Sequence, residues 1–344
     1  KEYPAIVLFR NYNQKTRPVW MMPMATNLVE ASFANPVKEA IQNSHSPLHF
    51  FDSWKGYEHV LHWQTQLYLL APKLGHYQGA TDFSHTDENF HPCLTQQVFR
   101  LLKTFFQPRY HTALHESMMH IHHVPLIVGA DSILYGQHGV SSGSVWTNDV
   151  ETYFDFIWTT YLRLLTNQSW WSKRKPLLAN ESGVGIGDDI LWVLEENSRS
   201  RLFPKFISEQ AAQVGMFINE EKVTNASSYV KYLQRLVQPG YFSDRTFNNQ
   251  KLLRGVYSTI RALKSLVYPE RFHSPKLWSK DMFAVRCFMI LENCLDHPLF
   301  ADFVSFVCSG HPYLVEFARK TDAEIGAAQA SSKLLPGFNP TYNQ

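Results

Sequence analysis

The chain has 344 residues, of which 44% are hydrophobic and 18% are charged, the composition of an ordinary globular protein. No apolar stretch approaches the roughly twenty residues that a membrane-spanning helix needs, so the sequence predicts no membrane segment. The formal net charge is only +2, which disfavours a protein that is basic over its whole surface but permits a basic channel balanced by an acidic site.

Residues 1–75 mix short apolar runs with aromatic-rich stretches that favour helices. The chain begins at Lys1 with neither a methionine nor a signal peptide, and we expect it to be a piece of a longer protein. A basic segment in this part contains Arg10, Lys15 and Arg17. Such side chains can hold phosphate groups through charge-assisted hydrogen bonds. An exposed charged loop is the plain alternative.

Residues 76–235 alternate between strand and helix patterns. A short strand is predicted to end near Asp82, and Asp87 follows five positions later. A helix is predicted from Pro92 because apolar residues recur on one face. These residues are Leu94, Val98, Leu101, Leu102 and Phe105.

Five histidines follow that helix. They are His111, His115, His120, His122 and His123. His115 and Glu116 are followed by Ser-Met-Met, so the second histidine of the zinc motif HExxH is missing. We therefore predict partly exposed helix histidines rather than a zinc site.

A glycine-serine loop occupies positions 139–144 and precedes a predicted helix. The buried stripe of that helix consists of Trp146, Val150, Phe154 and Ile157. Positions 139–143 also match Gly-x-Ser-x-Gly, the nucleophile elbow of α/β-hydrolases, with Ser141 as the nucleophile. Against a hydrolase, the C-terminal third lacks the strand-helix alternation that a parallel sheet requires.

Two strand-like apolar runs flank Gly187, Asp188 and Asp189, which predicts a hairpin with carboxylates at its turn. Further on, Asn219 and Lys222 precede a segment at 229–233 with strand character. From Pro239 the pattern predicts helices. One predicted helix runs from Leu252 to Leu266, with Leu253, Val256, Ile260, Leu263 and Leu266 spaced for a buried face.

The order of these features carries the functional hypothesis. It resembles the motif order F, A, B, C, D and E of viral RNA-dependent RNA polymerases, over about residues 6 to 270. The closer match is to double-stranded RNA viruses of the partitivirus and picobirnavirus type. It depends on the sequences RPVW from Arg17, GVSSGS and Thr147 from Gly139, and LVYPE from Leu266. No single motif is specific, but six in order are.

The resemblance implies a role for each matching residue. Asp82 and Asp188, assisted by Asp189, would bind two Mg²⁺ ions, with Mn²⁺ as the alternative ion. Lys222 would act as the general acid for pyrophosphate. The residues implied to bind the nucleotide are Lys15, Arg17, Asp87, Ser142, Gly143, Thr147 and Glu151. Those implied to bind RNA are Arg10 and Lys231.

Glu151 departs from the family pattern. Many relatives have Asn at this position, and the partitivirus-like group usually has Asp. Glu is longer, so the ribose contact that the resemblance assigns to Glu151 has a different reach. Asp155 also stands where that group often has Asn.

The resemblance implies an α+β fold of the right-hand polymerase type, with fingers, an antiparallel palm sheet and a helical thumb. Fingers would comprise 1–75, with motif F near 10–23, and an insertion at 108–135. The palm would comprise 76–107 with motif A and 136–235 with motifs B to E, and the thumb 236–344.

The implied activity is RNA-directed RNA synthesis that replicates and transcribes a double-stranded RNA virus genome. The implied partners are template and nascent RNA, ribonucleoside triphosphates and a viral capsid protein, inside the virion or in the host cytoplasm. A serine esterase using Ser141 and an inactive RNA-binding scaffold are the alternative functions.

Overall fold

The computed structural model describes residues 3–12, 15–44, 49–70, 77–167, 178–194, 200–268 and 278–332. Helices and strands are mixed along the chain, as expected of the α+β class. The chain forms two compact units. The first comprises Lys1–Phe9 and Arg17–Leu233, and the second comprises Arg10–Thr16 and Gln234–Gln344. Within the ranges given above, no helix is both long enough and apolar enough to cross a membrane.

The strands are β1 (Ala5–Tyr12), β2 (Lys15–Met21), β3 (Gln78–Asp82), β4 (Leu126–Gly129), β5 (Ser132–Leu134), β6 (Leu178–Ile186), β7 (Asp189–Leu194), β8 (Thr224–Ala226), β9 (Val230–Tyr232), β10 (Arg235–Phe247) and β11 (Gln250–Tyr257). The helices of the first unit are α1 (Met24–Gln42), α2 (Asp52–Lys55), α3 (Tyr57–Leu70), α4 (Thr86–Asn89), α5 (Pro92–Leu102), α6 (His111–His120), α7 (Val145–Asn167) and α8 (Phe203–Gln213). Those of the second unit are α9 (Thr259–Val267), α10 (Lys280–Glu292), α11 (Phe300–Gly310), α12 (Tyr313–Ala318) and α13 (Asp322–Ser332).

The first unit contains two four-stranded sheets. One has the order β2-β1-β4-β5, in which β1 and β4 run parallel with Ala5 opposite Leu126. The other has the order β6-β7-β3-β8 and is antiparallel throughout. Strand β7 is central in this second sheet, and its residues 190–194 are all fully buried. A continuous apolar run in a central strand is the pattern of burial on both faces.

Helix α7 packs against this second sheet and supplies much of the core. Its predicted stripe is confirmed, since Trp146, Val150 and Phe154 are buried. Trp158 of α7 packs edge-on against Trp192 of β7, with ring centroids 5.7 Å apart. Fully burying a large apolar side chain contributes about 1.5–3 kcal/mol. The helix and the sheet therefore form a rigid base for the residues at their ends.

The helix predicted from Pro92 is also confirmed, as α5. Leu94, Val98 and Leu102 are buried on its inner face. Phe105 lies beyond its end in a short 3-10 turn and is 62% exposed, so its inclusion in the stripe was wrong. The helical run ends at Leu102, and the turn directs Phe105 to solvent.

The second unit begins with a long hairpin rather than with helices, which corrects the prediction of a wholly helical segment from 236 onward. Strands β10 and β11 are antiparallel from Arg235↔Tyr257 to Phe247↔Gln250. The predicted helix from Leu252 is therefore wrong in its first half. In its second half, α9 leaves Ile260 68% exposed and Leu263 36% exposed, so the predicted buried face is wrong there too.

The helices of the second unit share a separate core. It is formed chiefly by α10, through Val285, Cys287 and Leu291, with Phe303 and Phe317 from the helices that follow. A buried polar contact accompanies it: Arg245 donates to both carboxylate oxygens of Asp296, at 3.1 and 3.0 Å. Ser243 donates to Asp296 as well, at 2.6 Å. Each of these three residues has its polar groups paired.

Candidate active site

Three carboxylates meet at one end of the β6-β7-β3-β8 sheet. Strand β3 ends at Asp82, which lies directly opposite Asp189 at the start of β7. The β6–β7 turn closes with Ile186 opposite Asp189, so Gly187 and Asp188 form its two central residues. The predicted strand end and the predicted acidic hairpin are both confirmed. Antiparallel pairing brings together residues that lie far apart in the sequence.

The turn requires glycine at its first central position. Gly187 has φ +57°, in the left-handed region that suits the first residue of a type II′ hairpin turn. A Cβ on Gly187 would lie 2.9 Å from Asn148 Nδ2 of α7. The amide of Gly187 donates to Thr152 Oγ1 at 2.8 Å, and the Thr152 hydroxyl donates to the carbonyl of Asn148. Helix α7 therefore fixes the backbone of the turn.

Burial and mutual repulsion together determine the electrostatics at this end of the sheet. Reduced solvation by surrounding protein atoms, and then the adjacent Asp188, raise the pKa of Asp82 to about 6. Burial, Asp188 and Asp82 together raise the pKa of Asp189 to about 8. The side chains of Asp82 and Asp188 also lie within hydrogen-bonding range of one another. Like charges this close favour a bound proton or a bound cation.

Two further acids of α7 extend the cluster inward. Glu151 is 7% exposed and Asp155 is 1% exposed. Burial, followed by the charge of Asp188, raises the pKa of both well above the usual values. Asp155 Oδ2 is buried without a hydrogen-bond partner. These side chains stand one helical turn apart on the same face of α7.

Basic residues from three other segments surround the carboxylates. Lys222 ends a short 3-10 turn just before β8, and Thr224 of β8 lies opposite Ala80 of β3. Lys222 and Arg17 each lower the pKa of Asp82 against the larger effects that raise it. Lys231, an exposed residue of β9, acts in the same direction on Asp189. The sequence had singled out all three of these cations.

Asp87 faces the same group from α4. Burial and Asp188 raise its pKa, and Arg17 acts against them. Glu151 feels the charge of both Asp188 and Asp87, so the two candidate ribose-binding acids lie in one neighbourhood. The carbonyl of Asp87 also accepts from Val140 at 2.9 Å, which ties the start of the glycine-serine loop to α4.

The glycine-serine loop is held by backbone contacts. A Cβ on Gly143 would lie 1.6 Å from the carbonyl oxygen of Trp20, so only glycine permits this approach to β2. Thr147 donates to the carbonyl of Ser141 at 2.6 Å and is 7% exposed, so its hydroxyl is committed to the loop. Ser142 Oγ has no hydrogen-bond partner. Ser142 is the loop hydroxyl left uncommitted.

Ser141 is unsuited to be a nucleophile. It is fully buried, and its hydroxyl donates to the carbonyl of Ile121 at 3.3 Å. A nucleophile elbow must instead expose its serine at a sharp strand-to-helix turn. The hydrolase alternative is therefore wrong.

The sequence alone did not identify several residues that hold the site. Thr86 donates to Asp188 Oδ2 at 3.0 Å, and Thr152 holds Gly187. Glu30 of α1 is 1% exposed and accepts from both Ser144 and the amide of Val145, so it caps the start of α7. The position of Thr86 between Asp82 and Asp87 was a local signal for it. Glu30 offered none, because its partners lie more than a hundred residues away.

The remaining residues singled out by the sequence are the basic pair Arg10 and Lys15 and the histidine cluster. The side chain of Lys15 lies outside the described residues. Arg10 groups with the second unit. Two members of the histidine cluster have separate partners: His111 contacts the carbonyl of Phe106, and His115 contacts the side chain of Gln96.

His122 differs from the prediction of partial exposure because it is fully buried. Its Nδ1 lies 3.1 Å from the carbonyl of His138, which can only accept, so Nδ1 carries the proton. Its Nε2 then accepts from the Thr95 hydroxyl at 2.7 Å. Burial lowers the pKa of His122 to about 4.

The donor chemistry of the carboxylate cluster suits magnesium. Across the described ranges, no group of three or more His, Cys, Asp or Glu residues is arranged to hold a metal ion by itself. Asp82 and Asp188 do adjoin one another. Mg²⁺ is commonly bound by one or two carboxylates together with substrate phosphates and water. These two adjoining carboxylates therefore fit such an ion as far as the protein supplies ligands.

Comparison with known proteins gives a consistent result. Residues 12–286 match the model of the family described as viral RNA-dependent RNA polymerase. A protein of human picobirnavirus (strain Human/Thailand/Hy005102/-) named "Potential RNA-dependent RNA polymerase" is 27% identical over 328 residues, which are 94% of this chain. The chain spans 57% of the length of that relative.

Solved structures show the same fold. The RNA-dependent RNA polymerase of a human picobirnavirus aligns with a TM-score of 0.78 at 24% identity, covering 98% of this chain and 61% of that one. A mutant of such a polymerase with its insertion loop deleted aligns with a TM-score of 0.79 at 24% identity, covering 96% of this chain and 62% of that one.

Proposed function

The chain belongs to the viral RNA-dependent RNA polymerase family, and from this premise we propose that it extends an RNA 3′-hydroxyl with ribonucleotides on an RNA template. The observation that carries the proposal is the pairing of Asp82 with Asp189, with Asp188 in the adjoining turn. This arrangement puts carboxylates from two separate strands at one accessible sheet end. Nucleotidyl transfer depends on such positioning more than on covalent chemistry by the protein.

Asp82 and Asp188 are the residues that would hold magnesium, with Asp189 assisting. The raised pKa values of Asp82 and Asp189 support this role, because a bound cation would offset the burial and mutual repulsion of these acids. Divalent cations there would align the attacking hydroxyl with the α-phosphate and offset the charge that develops. We infer two Mg²⁺ ions in the working enzyme, with Mn²⁺ as a substitute.

Arg17 and Lys222, which both act on the pKa of Asp82, would bind the phosphates of the nucleotide. The guanidinium of Arg17 offers a planar fork of donors that matches a phosphate group. Lys222 is an exposed ammonium near Asp82, and this position supports a role as the group that would donate a proton to the departing pyrophosphate. Lys231, near Asp189, would contact the backbone of the RNA.

Asp87 and Glu151 would select ribose. Both are acceptors in the same neighbourhood as Asp188, and a ribonucleotide differs from a deoxyribonucleotide by a 2′-hydroxyl that can donate to them. Because Glu151 is buried with its pKa raised well above the usual value, its neutral form can also donate a hydrogen bond.

The polymerase architecture would distribute these parts as fingers, palm and thumb. We assign the β6-β7-β3-β8 sheet with α7 to the palm, the β2-β1-β4-β5 sheet to the fingers, and the helices after β11 to the thumb. The family resemblance supports a role in replicating and transcribing a double-stranded RNA genome. Such synthesis would take place inside a capsid within the host cytoplasm, with the capsid protein as a partner.

Incorporation of labelled ribonucleotides on a homopolymer RNA template, with Mg²⁺ and then Mn²⁺, tests the proposal. Asp188→Ala should reduce product by at least roughly 100- to 1000-fold, because it removes a charge that acts at the reacting phosphate. Asp302→Ala, at an exposed position of α11, should leave the rate unchanged. Both variants should fold, since neither removes a core side chain.

Full activity of Asp188→Ala would refute the site assignment. A wild-type chain that binds RNA but incorporates nothing with either metal ion would refute the activity and favour the inactive RNA-binding scaffold.

A further inference from the structure

The hydroxyl of Thr86 contacts a candidate metal ligand directly. Thr86 Oγ1 lies 3.0 Å from Asp188 Oδ2 and 3.4 Å from the carbonyl of Phe83. A hydroxyl has only one proton to donate. The Asp188 carboxylate oxygen is both nearer than the Phe83 carbonyl oxygen and, being charged, the stronger acceptor. Thr86 therefore donates to Asp188. The residue is 7% exposed, so little water competes for this hydrogen bond.

The backbone before Thr86 is arranged to bring its hydroxyl to this point. His85 has φ 56° and ψ 45°, a left-handed conformation that costs a residue with a side chain about 1 kcal/mol. This reversal follows Ser84, whose amide donates to the carbonyl of Phe217 at 2.7 Å. The chain leaves β3, turns sharply and returns Thr86 towards the β6–β7 turn. Strain retained at a functional site needs a reason, and the Thr86 contact supplies one.

The contact constrains Asp188 where repulsion would otherwise move it. Asp82 adjoins Asp188, and Glu151, Asp155 and Asp189 all feel its charge. A carboxylate among like charges tends to rotate away from them. The neutral Thr86 hydroxyl, by donating to Oδ2, fixes the rotamer of Asp188 without adding a positive charge. The other carboxylate oxygen, Oδ1, takes no part in this hydrogen bond.

From this geometry we propose that Thr86 is a positioning residue that orients the Asp188 carboxylate for cation binding. The inference rests on the proposed function in taking Asp188 as a metal ligand. Thr86 itself touches no substrate in this account. Its contribution is comparable to that of outer-shell partners at metal sites, whose loss typically weakens metal binding roughly 10- to 100-fold.

Three variants of the full chain separate this role from simple packing. Thr86→Val removes the hydroxyl and keeps the shape, while Thr86→Ser keeps the hydroxyl and removes a methyl group. Thr81→Val is the matched control. Thr81 is also a buried threonine and precedes Asp82, but its hydroxyl accepts from the indole of Trp192 at 2.8 Å. Alternation along β3 directs Thr81 and Asp82 to opposite faces.

The first measurement is Mn²⁺ affinity without nucleotide, from the free-ion signal in electron paramagnetic resonance. The second is the Mg²⁺ concentration that gives half-maximal RNA synthesis. We expect Thr86→Val to weaken Mn²⁺ binding and raise the Mg²⁺ requirement by roughly tenfold or more. Thr86→Ser should restore both values to near wild type, and Thr81→Val should change neither.

Unchanged Mn²⁺ affinity in Thr86→Val would overturn the inference, and so would an equal loss in Thr81→Val. A different result would separate the two proposals: wild type binds Mn²⁺, Thr86→Val weakens that binding, and neither wild type nor any variant makes RNA. The positioning role would then stand and the proposed polymerase activity would fail.

Discussion

Helix α7 of the first unit and the loop after α10 in the second unit both bury an aspartate, but they surround it differently. Asp155 is 1% exposed, has three acidic neighbours and leaves Oδ2 unpartnered. Asp296 is 7% exposed and accepts hydrogen bonds from Arg245 and Ser243. A paired buried carboxylate is a structural element, whereas unpaired acids collected at one sheet end cost stability. The comparison indicates that the first region is adapted to bind something and the second to hold its unit together.

Removing the charge of Asp296, which is paired with Arg245, should lower the free energy of unfolding more than any other change predicted for this chain. Asp296→Asn would direct an amide towards the guanidinium of Arg245 and lose the bidentate acceptor. We expect the free energy of unfolding to fall by about 2–3 kcal/mol, below the range for a fully buried pair because Arg245 is partly exposed. Urea denaturation would measure it, with Asp302→Asn as the exposed control. A loss below about 0.5 kcal/mol would show that the contact is not structural.

Acid should weaken the first unit through His122, because burial disfavours the charged form of this histidine. Its folded pKa of about 4 lies below the ordinary 6.5, so the unfolded chain binds more protons between these values. Stability from this histidine is thus present at neutral pH and lost as the pH falls, by about 2 kcal/mol from pH 7 to pH 5. The measurement is the change in unfolding free energy between those pH values, compared with His122→Gln.

His122→Gln cannot titrate at this position, so it should lack this part of the pH dependence. His123→Gln, at an exposed neighbour, should retain it. Equal pH dependence in wild type and His122→Gln would contradict the assignment.

The same substitution that harms the paired aspartate should help the unpaired one. Because the pKa of Asp155 is raised, its folded form favours the proton, and its cost to stability grows as the pH rises from about 4. Asp155→Asn imitates the neutral acid at every pH. We expect a gain of about 1 kcal/mol or more at pH 8, measured with a chelator present. A loss of similar size would show that Asp155 has a partner in solution and would remove the contrast with Asp296.

Local pattern was enough to predict the hairpin that carries Asp188 and Asp189 and the helix that packs against it. Glycine before two acids between apolar runs predicts a hairpin, and the apolar stripe from Trp146 predicts α7. The family resemblance implied one antiparallel sheet carrying both Asp82 and this hairpin, but not the direct pairing of Asp82 with Asp189. The contacts of Thr86, Thr152 and Glu30 depend on which distant segments meet, and a single sequence does not encode that in any short window.

The prediction of helix where β10 and β11 form a hairpin was wrong for a specific reason. Asn248 and Asn249 both adopt positive φ at the tip of the β10–β11 hairpin, and asparagine tolerates that conformation. Two adjacent asparagines are therefore a turn signal in this sequence. Leu252 and Leu253 are adjacent and both buried, so neither helical nor alternating spacing describes them well. Between Val237 and Phe242 the register shifts, where Pro239 and Gly240 interrupt the strand.

Strand β3 receives both of its neighbours from far along the chain. Its partner β7 follows roughly a hundred residues later and β8 later still. At the usual rate of synthesis, about 5–20 residues per second, β3 leaves the ribosome roughly 5 to 20 seconds before either neighbour exists. Throughout that interval both of its edges are open. The strand that carries Asp82 is therefore where pairing between nascent chains competes most directly with folding.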